Sequence, residues 1–327
     1  MQLTLRFLSD PPPPPLRWLW HGVIPARSLV TLAGAPGGGK TALAVLLAMA
    51  VARGEALLDR PAQQGGVLFV SAEAGESTGR RLRAAAGADA DLPIVQAAGP
   101  VDLLDSAAAE EIIRAIDGAK ARVGAVIRLI VVDALASATR GADENSGRDM
   151  GKAMAALHDV IEARGSSILL LAHVGKGGGD LVRGHSGILA DVDAHLMLSG
   201  DAGIKRLKIV KGRDFEAGET ISFRLASDDP DTFTASVVNG AAPTGARPTK
   251  PSPDAGRALK ALRDLGGSAS IEDWRAATVV AIGPKPTSGA VREAFRKAKA
   301  ALTGAGLIDI NGSTVTVTDP SLNVTAR

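Results

Sequence analysis

The sequence contains no cysteine and no tyrosine, and aromatic residues make up only 3% of its 327 positions. The absence of cysteine excludes disulfide bonds, thiolate zinc sites and cysteine nucleophiles. The five histidines are scattered and show no metal-ligand spacing. Because aromatic side chains are scarce, the core must be built from Leu, Val, Ile and Ala. A content of 46% hydrophobic and 22% charged residues indicates a globular protein with ample material for that core.

Long apolar runs are also missing. No uninterrupted apolar stretch is long enough to cross a bilayer, and the N-terminus lacks the basic-then-apolar pattern of a signal peptide. We therefore expect a cytoplasmic protein with no membrane partner. The net charge is only +2, but the residues from 254 onward are mildly basic, which permits a nucleic-acid partner without demonstrating one.

Glycine, by contrast, is abundant, and one glycine-rich loop has a defined pattern. Gly34-x-x-x-x-Gly39-Lys40-Thr41 lies between a β-branched apolar run and an alanine- and leucine-rich helix, which is the context that the phosphate-binding P-loop requires. Glycines let successive backbone N–H groups surround a phosphate, and the helix N-terminus favours its negative charge. We predict an ATP site in which Lys40 reaches the β- and γ-phosphates and Thr41 ligates Mg²⁺. The predicted nucleotide contacts are Gly34, Ala35, Pro36, Gly37, Gly38, Gly39, Lys40, Thr41 and Ala42.

Strands and helices alternate after the loop, and three apolar runs each end on a polar residue. Residues 67–70, 129–132 and 168–172 are predicted strands, with helices at 75–86, 107–122 and 150–164 and a mobile loop at 134–148. This α/β pattern predicts a mostly parallel sheet covered on both faces. Three further segments, 194–198, 206–211 and 220–225, are predicted antiparallel strands that extend the sheet at one edge. Ligands of parallel sheets bind at the carboxyl ends of the strands, where Glu73, Asp133 and His173 are expected.

These three residues suggest a hydrolytic site. Asp133 is the expected second acid, which holds Mg²⁺ through water. The next residue is Ala134, where many P-loop helicases carry a glutamate base, so the general base must come from elsewhere. Glu73 is the best candidate and Glu76 the alternative, although a structural N-cap contact is also open for Glu73. His173 either hydrogen-bonds the γ-phosphate and signals its loss to the following loop, or is inert.

The C-terminal part has a different composition and is predicted to be a separate small domain. Helices at 255–265, 271–280 and 288–303, followed by a hairpin of 307–310 with 314–317, are typical of a winged helix. Its third helix would present Arg292 and Arg296 to DNA, or else form a solvated face of a protein-docking domain. The predicted division is a Pro-rich lead (1–15), an ATPase domain (16–238), a linker (239–253), the winged-helix-like domain (254–320) and a tail (321–327).

Four of these motifs together resemble RecA/DnaB-type ATPases, and most of all the plasmid RepA-type hexameric replicative helicases and related phage and plasmid ATPases. The motifs are Gly34–Thr41, Val67–Glu73, Leu129–Asp133 and Ile168–Gly187. The resemblance covers about residues 16–235 and implies a RecA-like P-loop NTPase core.

The resemblance also implies assembly. Lys211 and Arg213 are similar to the Lys-x-Arg finger that reaches the nucleotide of the neighbouring subunit in that family, which requires a homo-oligomer, most simply a hexameric ring. The loop from Lys176 to Arg183 would face the ring channel, where both residues could hold single-stranded DNA phosphates. The alternative for Lys211 and Arg213 is a pair of exposed charges on an edge strand.

The expected function is therefore Mg²⁺-dependent ATP hydrolysis coupled to movement on DNA in plasmid or phage replication. The C-terminal domain would bind duplex DNA or a replication protein. Two other classes stay open: a DNA-binding regulator or recombination mediator that uses ATP as a switch, and, more remotely, a P-loop small-molecule kinase.

Overall fold

A computed structural model divides the chain into two compact units, Met1–Asn239 and Gly240–Arg327. It describes residues 7, 9–12, 14–72, 75–89, 91–99, 101–142, 146–174, 187–200, 203–229, 231–238, 253–283, 288–304, 308–311 and 314–317. The predicted linker, apart from residue 253, and the predicted tail lie outside these ranges. The domain boundaries therefore stay predictions.

The first unit has alternating strands and helices. In its described part the helices are α1 (Lys40–Arg53), α2 (Gly75–Ala86), α3 (Ala108–Val123), α4 (Leu135–Ala138), α5 (Gly147–Arg164) and α6 (Gly187–Asp191). The strands are β1 (Trp18–Trp20), β2 (Ile24–Pro25), β3 (Leu29–Gly34), β4 (Ala56–Leu57), β5 (Arg60–Pro61), β6 (Gly66–Ser71), β7 (Ile94–Ala98), β8 (Ile127–Asp133), β9 (Ser167–His173), β10 (Ala194–Gly200), β11 (Lys205–Gly212), β12 (Thr220–Asp229) and β13 (Thr232–Val237).

Among the described residues, nine of these strands form one sheet in the order β13-β12-β11-β10-β3-β9-β8-β6-β7. The six strands from β7 to β10 are parallel, and β11, β12 and β13 continue the sheet in antiparallel fashion. The prediction of a mostly parallel sheet with helices on both faces, a RecA-like core, is confirmed. One detail is wrong: residues 194–198 were expected to be antiparallel, but β10 runs parallel to β3.

Alternate residues of the parallel strands enter two separate cores, as a sheet covered on both faces requires. Along β3, Val30 and Leu32 belong to the core on the α1 and α2 side. Leu29 and Ala33 belong to the core on the α3 and α5 side. This double burial explains why the strands are nearly continuous apolar runs.

Helix α1 is enclosed on all sides, which accounts for its almost wholly apolar sequence. Its buried residues extend around the whole helix, from Lys40 to Ala52. The antiparallel end of the sheet curves over α1, so that β13 contacts both α1 and α2. Arg80 of α2 pairs with Asp231 beside β13 at 3.2 Å, and the Arg81 guanidinium lies 5.7 Å from the centre of the Phe233 ring.

Two short elements depart from the predictions. Residues 135–138 form α4 within the segment that was expected to be a mobile loop, because Thr139 Oγ1 donates to the Leu135 carbonyl at 2.9 Å and closes one helical turn. Strand β13 was not predicted, since its sequence alternates weakly between apolar and small polar residues. Within the described residues, no helix combines the length and apolarity needed to span a membrane.

The second unit has its own core. Its described elements are α7 (Pro253–Asp264), β14 (Ser268–Ser270), α8 (Ile271–Ile282), α9 (Ser288–Gly304), β15 (Ile308–Asn311) and β16 (Thr314–Val317). The sheet order is β14-β16-β15, all antiparallel. Trp274 is fully buried, donates to the Ala258 carbonyl at 2.8 Å and meets the Phe295 ring edge-on. The three helices and the β15–β16 hairpin lie close to their predicted bounds, while the winged-helix assignment and its function stay predictions.

Candidate functional site

The glycine-rich loop connects the end of β3 to the start of α1 at the carboxyl edge of the parallel strands. Gly39, the N-cap of α1, has φ +99°, a left-handed conformation that favours glycine. The α1 N-terminus has no side-chain cap and no acidic residue in its first turn. Its first N–H groups and the positive end of the helix dipole are therefore available to an anion such as a phosphate.

Lys40 lies at the centre of this loop. Its Nζ donates to the Gly34 and Ala35 carbonyls, both at 3.0 Å, and lies 3.4 Å from His173 Nδ1. The residue is only 7% exposed. Burial lowers the pKa of the Lys40 ammonium below its ordinary value of 10.5, while the nearby Asp133 carboxylate opposes this shift. A bound phosphate would offer this partly desolvated ammonium a stronger partner than the two neutral carbonyls.

Thr41 and Asp133 meet beside Lys40. The Thr41 hydroxyl donates to Asp133 Oδ2 at 2.9 Å. Because a hydroxyl has one hydrogen and two lone pairs, this bond leaves the oxygen of Thr41 free to ligate a cation. Mg²⁺ binds to proteins through one or two oxygen ligands together with substrate phosphates and waters, so this donor set fits the ion. When bound, Mg²⁺ would neutralise charge on the β- and γ-phosphates.

The other two predicted strand ends are brought to the same place. His173 ends β9 and is the register partner of Gly34, the first residue of the loop. Ser71 is the register partner of Asp133, and the Ala72 N–H donates to the Asp133 carbonyl at 3.0 Å. Glu73 follows directly in the chain but lies outside the described residues, as do Lys176 and Arg183. The proposed roles of His173 and Glu73 stay predictions.

Lys211 and Arg213 lie at the opposite end of the sheet. Gly212 pairs with Ala194, which pairs with Val30 near the start of β3. Four residues of β3 separate Val30 from Gly34, a distance of roughly 13 Å along the strand. Neither cation can therefore reach the P-loop of its own chain without rearrangement, and the predicted action on a neighbouring subunit is the one that the geometry leaves open.

Within the chain, both cations contact the C-terminal end of α6. Lys211 Nζ donates to the carbonyls of Leu189, Ala190 and Val192. Arg213 bonds to Asp193 Oδ1 at 2.7 Å and to the carbonyls of Ala190 and Asp191. Burial, then the neighbouring Arg213 charge, lowers the pKa of Lys211. These contacts connect the predicted finger to the helix that follows residues 175–186 in sequence.

In the second unit, Arg296 lies exposed on α9 and forms two hydrogen bonds with Glu293, at 2.8 and 2.7 Å. This pairing lowers the pKa of Glu293 to about 2 and raises that of Arg296. Arg292 belongs to α9, but its side chain lies outside the described residues. The DNA-binding role of both arginines stays a prediction.

Two residues near the loop were missed by sequence reasoning. Gln96 of β7 bonds to the turn that carries Glu73. Lys205, the first residue of β11, lies beside Gly39, where a Cβ would be 3.9 Å from its Cε. The partners of both residues are distant in sequence, so only knowledge of the strand pairing could have identified them.

Comparison with known proteins agrees with this geometry. A family model described as an AAA domain, AAA_25, matches residues 1–179, more than half of the chain. The chain belongs to this AAA domain family. The site is therefore that of a P-loop ATPase of the RecA/DnaB type, as the sequence motifs indicated.

Solved structures with related folds include the ATPase domain of a helicase, at 17% identity and a TM-score of 0.49, covering 64% of this chain and 84% of that one. A KaiC-like protein from the hyperthermophilic archaeon Pyrococcus horikoshii OT3 matches at 14% identity and a TM-score of 0.48, covering 68% of this chain and 99% of that one. No curated protein sequence matches the chain.

Proposed function

We propose that this AAA domain protein is a ring-forming, Mg²⁺-dependent ATPase that moves on single-stranded DNA, as a replicative helicase of the plasmid or phage type. The observation that carries the proposal is the position of Lys211 and Arg213, at the end of the sheet remote from the P-loop of the same chain. A pair of cations that acts on a nucleotide from this position must act on that of another subunit. Head-to-tail repetition of such a contact closes most simply into a ring.

Hydrolysis in this proposal requires one proton acceptor and several fixed charges. Glu73 takes a proton from the attacking water. Lys40 stabilises charge on the β- and γ-phosphates, and Lys211 and Arg213 of the adjacent subunit add positive charge as the γ-phosphoryl group departs. Mg²⁺ would be held by Thr41 and, through water, by Asp133.

Coupling to DNA follows from chain connectivity. His173 lies 3.4 Å from Lys40 Nζ and ends the strand that leads into residues 174–186. Loss of the γ-phosphate would change the hydrogen bonding of His173 and so the loop that carries Lys176 and Arg183. Since that loop has no aromatic residue to stack on bases, its grip would be on the backbone phosphates and independent of sequence. The second unit would bind duplex DNA or a replication protein through a winged helix.

The test is ATP turnover with and without single-stranded DNA, together with the native mass of the protein. We expect a ring whose turnover is stimulated by DNA. The double variant Lys176→Ala/Arg183→Ala should keep basal turnover and lose the stimulation. A matched control is Arg148→Ala/Lys152→Ala, which removes the same charges from the exposed face of α5.

Two results would contradict the proposal. An unstimulated monomer with normal turnover would favour an ATP-switch regulator or recombination mediator instead. Equal loss of stimulation in the loop variant and in the α5 control would mean that only the total positive charge matters.

A further inference from the structure

Gln96 joins the two ends of the turn that contains Glu73. Its Nε2 donates to the Ser71 hydroxyl at 3.1 Å and to the Gly75 carbonyl at 2.5 Å. Ser71 is the last residue of β6, and Gly75 is the first residue of α2. One amide group with two hydrogens therefore holds the residue two positions before Glu73 and the residue two positions after it.

The packing of α2 on β7 makes this contact possible. Gly75 and Gly79 are four residues apart and lie on the same side of α2, against the strand. A Cβ on Gly75 would be 3.1 Å from the Ala98 Cβ, and one on Gly79 would be 2.7 Å from Gln96 Oε1. The two glycines let the helix approach the strand closely enough for the glutamine amide to reach its first carbonyl.

The Ser71 end of the turn is also fixed to the nucleotide site. Ser71 is only 2% exposed and is the register partner of Asp133. The next residue, Ala72, donates its N–H to the Asp133 carbonyl. Only Glu73 and Ala74 lie between this anchored end and the carbonyl that Gln96 holds.

We propose that Gln96 is a positioning residue for hydrolysis, which holds the β6–α2 turn so that Glu73 reaches the attacking water. The inference rests on the proposed role of Glu73 as general base. A base must come within hydrogen-bond reach of the proton that it takes, and a displacement of about 1 Å can cost on the order of a hundredfold in rate. Gln96 itself does not contact the P-loop residues, so its removal should change turnover and leave nucleotide binding intact.

The variant Gln96→Leu tests this, because leucine keeps much of the side-chain volume and removes both donors. Gln96 borders an open cavity of about 860 Å³, so the branched side chain has room. We expect kcat to fall by roughly 10- to 100-fold while the dissociation constant for ADP changes by less than about twofold. Gln96→Glu keeps the shape but not the amide donors, and should give the same result if the leucine variant folds poorly. Gln63→Leu, at an exposed site, is the matched control and should leave kcat unchanged.

A double-mutant cycle separates this inference from the proposed function. If Glu73→Gln abolishes turnover, Gln96→Leu added to it should cause no further loss, because the two residues act as one unit. Wild-type kcat in a folded Gln96→Leu protein, with Glu73→Gln inactive, would overturn the inference and leave the base assignment standing. Wild-type turnover in Glu73→Gln would overturn both. Parallel loss of kcat and ADP binding in Gln96→Leu would also overturn it, since that pattern indicates a general structural role.

Discussion

At the scale of single residues, the main property of the site is that its charges already have partners. Lys40 is bound by two loop carbonyls, and Thr41 donates to Asp133. A nucleotide therefore does not enter a set of free charges; it replaces neutral partners of Lys40 by phosphates. The gain in binding is the difference between these two sets of hydrogen bonds, which charge-assisted bonds favour.

This exchange predicts a pH-dependent proton uptake on nucleotide binding. Burial lowers the pKa of Lys40 in the free protein, and bound phosphates raise it again because they favour the ammonium form. Between these two pKa values the free lysine is partly neutral and the bound lysine is charged. Binding therefore takes up protons in that window, and affinity falls as the pH rises through it.

Isothermal titration of ADP in two buffers with different ionisation enthalpies measures this uptake. We expect more uptake at about pH 9.5 than at about pH 8, where both forms of the lysine are largely protonated. Lys205→Met, which removes another lysine close to the loop, should keep the difference. Equal uptake at both pH values, or loss of the difference in that variant, would contradict the assignment to Lys40.

At the scale of elements, α6 depends on the predicted finger. Helix α6 has only five residues, Gly187–Asp191, so its C-terminal carbonyls have few partners of their own. Lys211 and Arg213 supply donors to these carbonyls. If a neighbouring nucleotide attracts the two cations, it competes directly with α6 for them, which would couple the subunit interface to residues 175–186.

The variant Lys211→Met should therefore lower stability as well as turnover. It leaves partly buried carbonyls without donors, and we expect the free energy of unfolding to fall by about 1–3 kcal/mol. Urea denaturation of the monomeric protein measures this. Arg224→Met, an exposed cation on β12, is the matched control. Unchanged stability in Lys211→Met would contradict the capping role, whatever its effect on turnover.

Much of the element order follows from the sequence, and the exceptions have physical reasons. Continuous apolar strands such as residues 168–172 are recognisable because both faces are buried. The direction of β10 was wrong because a strand's side-chain pattern is the same in parallel and antiparallel pairing. Helix α4 is a single turn without a hydrophobic period.

The candidate site divides in the same way. The P-loop, Asp133 and His173 were identified because each is defined by residues adjacent in sequence. Gln96 was missed because its partners are 21 and 25 positions away. The contacts of Lys211 with α6 were missed because they depend on the pairing of β10 with β11.

At the scale of the whole molecule, the proposed finger makes the active unit a pair of subunits. The P-loop of one chain and Arg213 of the next would form one complete site. A subunit with a defective P-loop should therefore still supply a working finger, and the reverse should also hold.

Mixing two inactive variants tests this arrangement. Lys40→Ala lacks nucleotide binding but keeps Arg213, and Arg213→Ala has the opposite defect. With random assembly at equal amounts, about a quarter of the head-to-tail interfaces combine an intact P-loop with an intact finger. We expect turnover near that fraction of the wild-type value in the mixture and almost none in either variant alone. No recovery at any mixing ratio would count against a shared site.

The enclosure of α1 has a consequence for the response of the protein to its ligand. Helix α1 is buried all round and is covered by β13, so its amide hydrogens can exchange with solvent only when the whole first unit opens. The phosphate-binding N–H groups begin this same helix. Nucleotide binding therefore stabilises the entire unit against unfolding rather than one surface segment, and the temperature of its cooperative melting rises with the logarithm of nucleotide concentration.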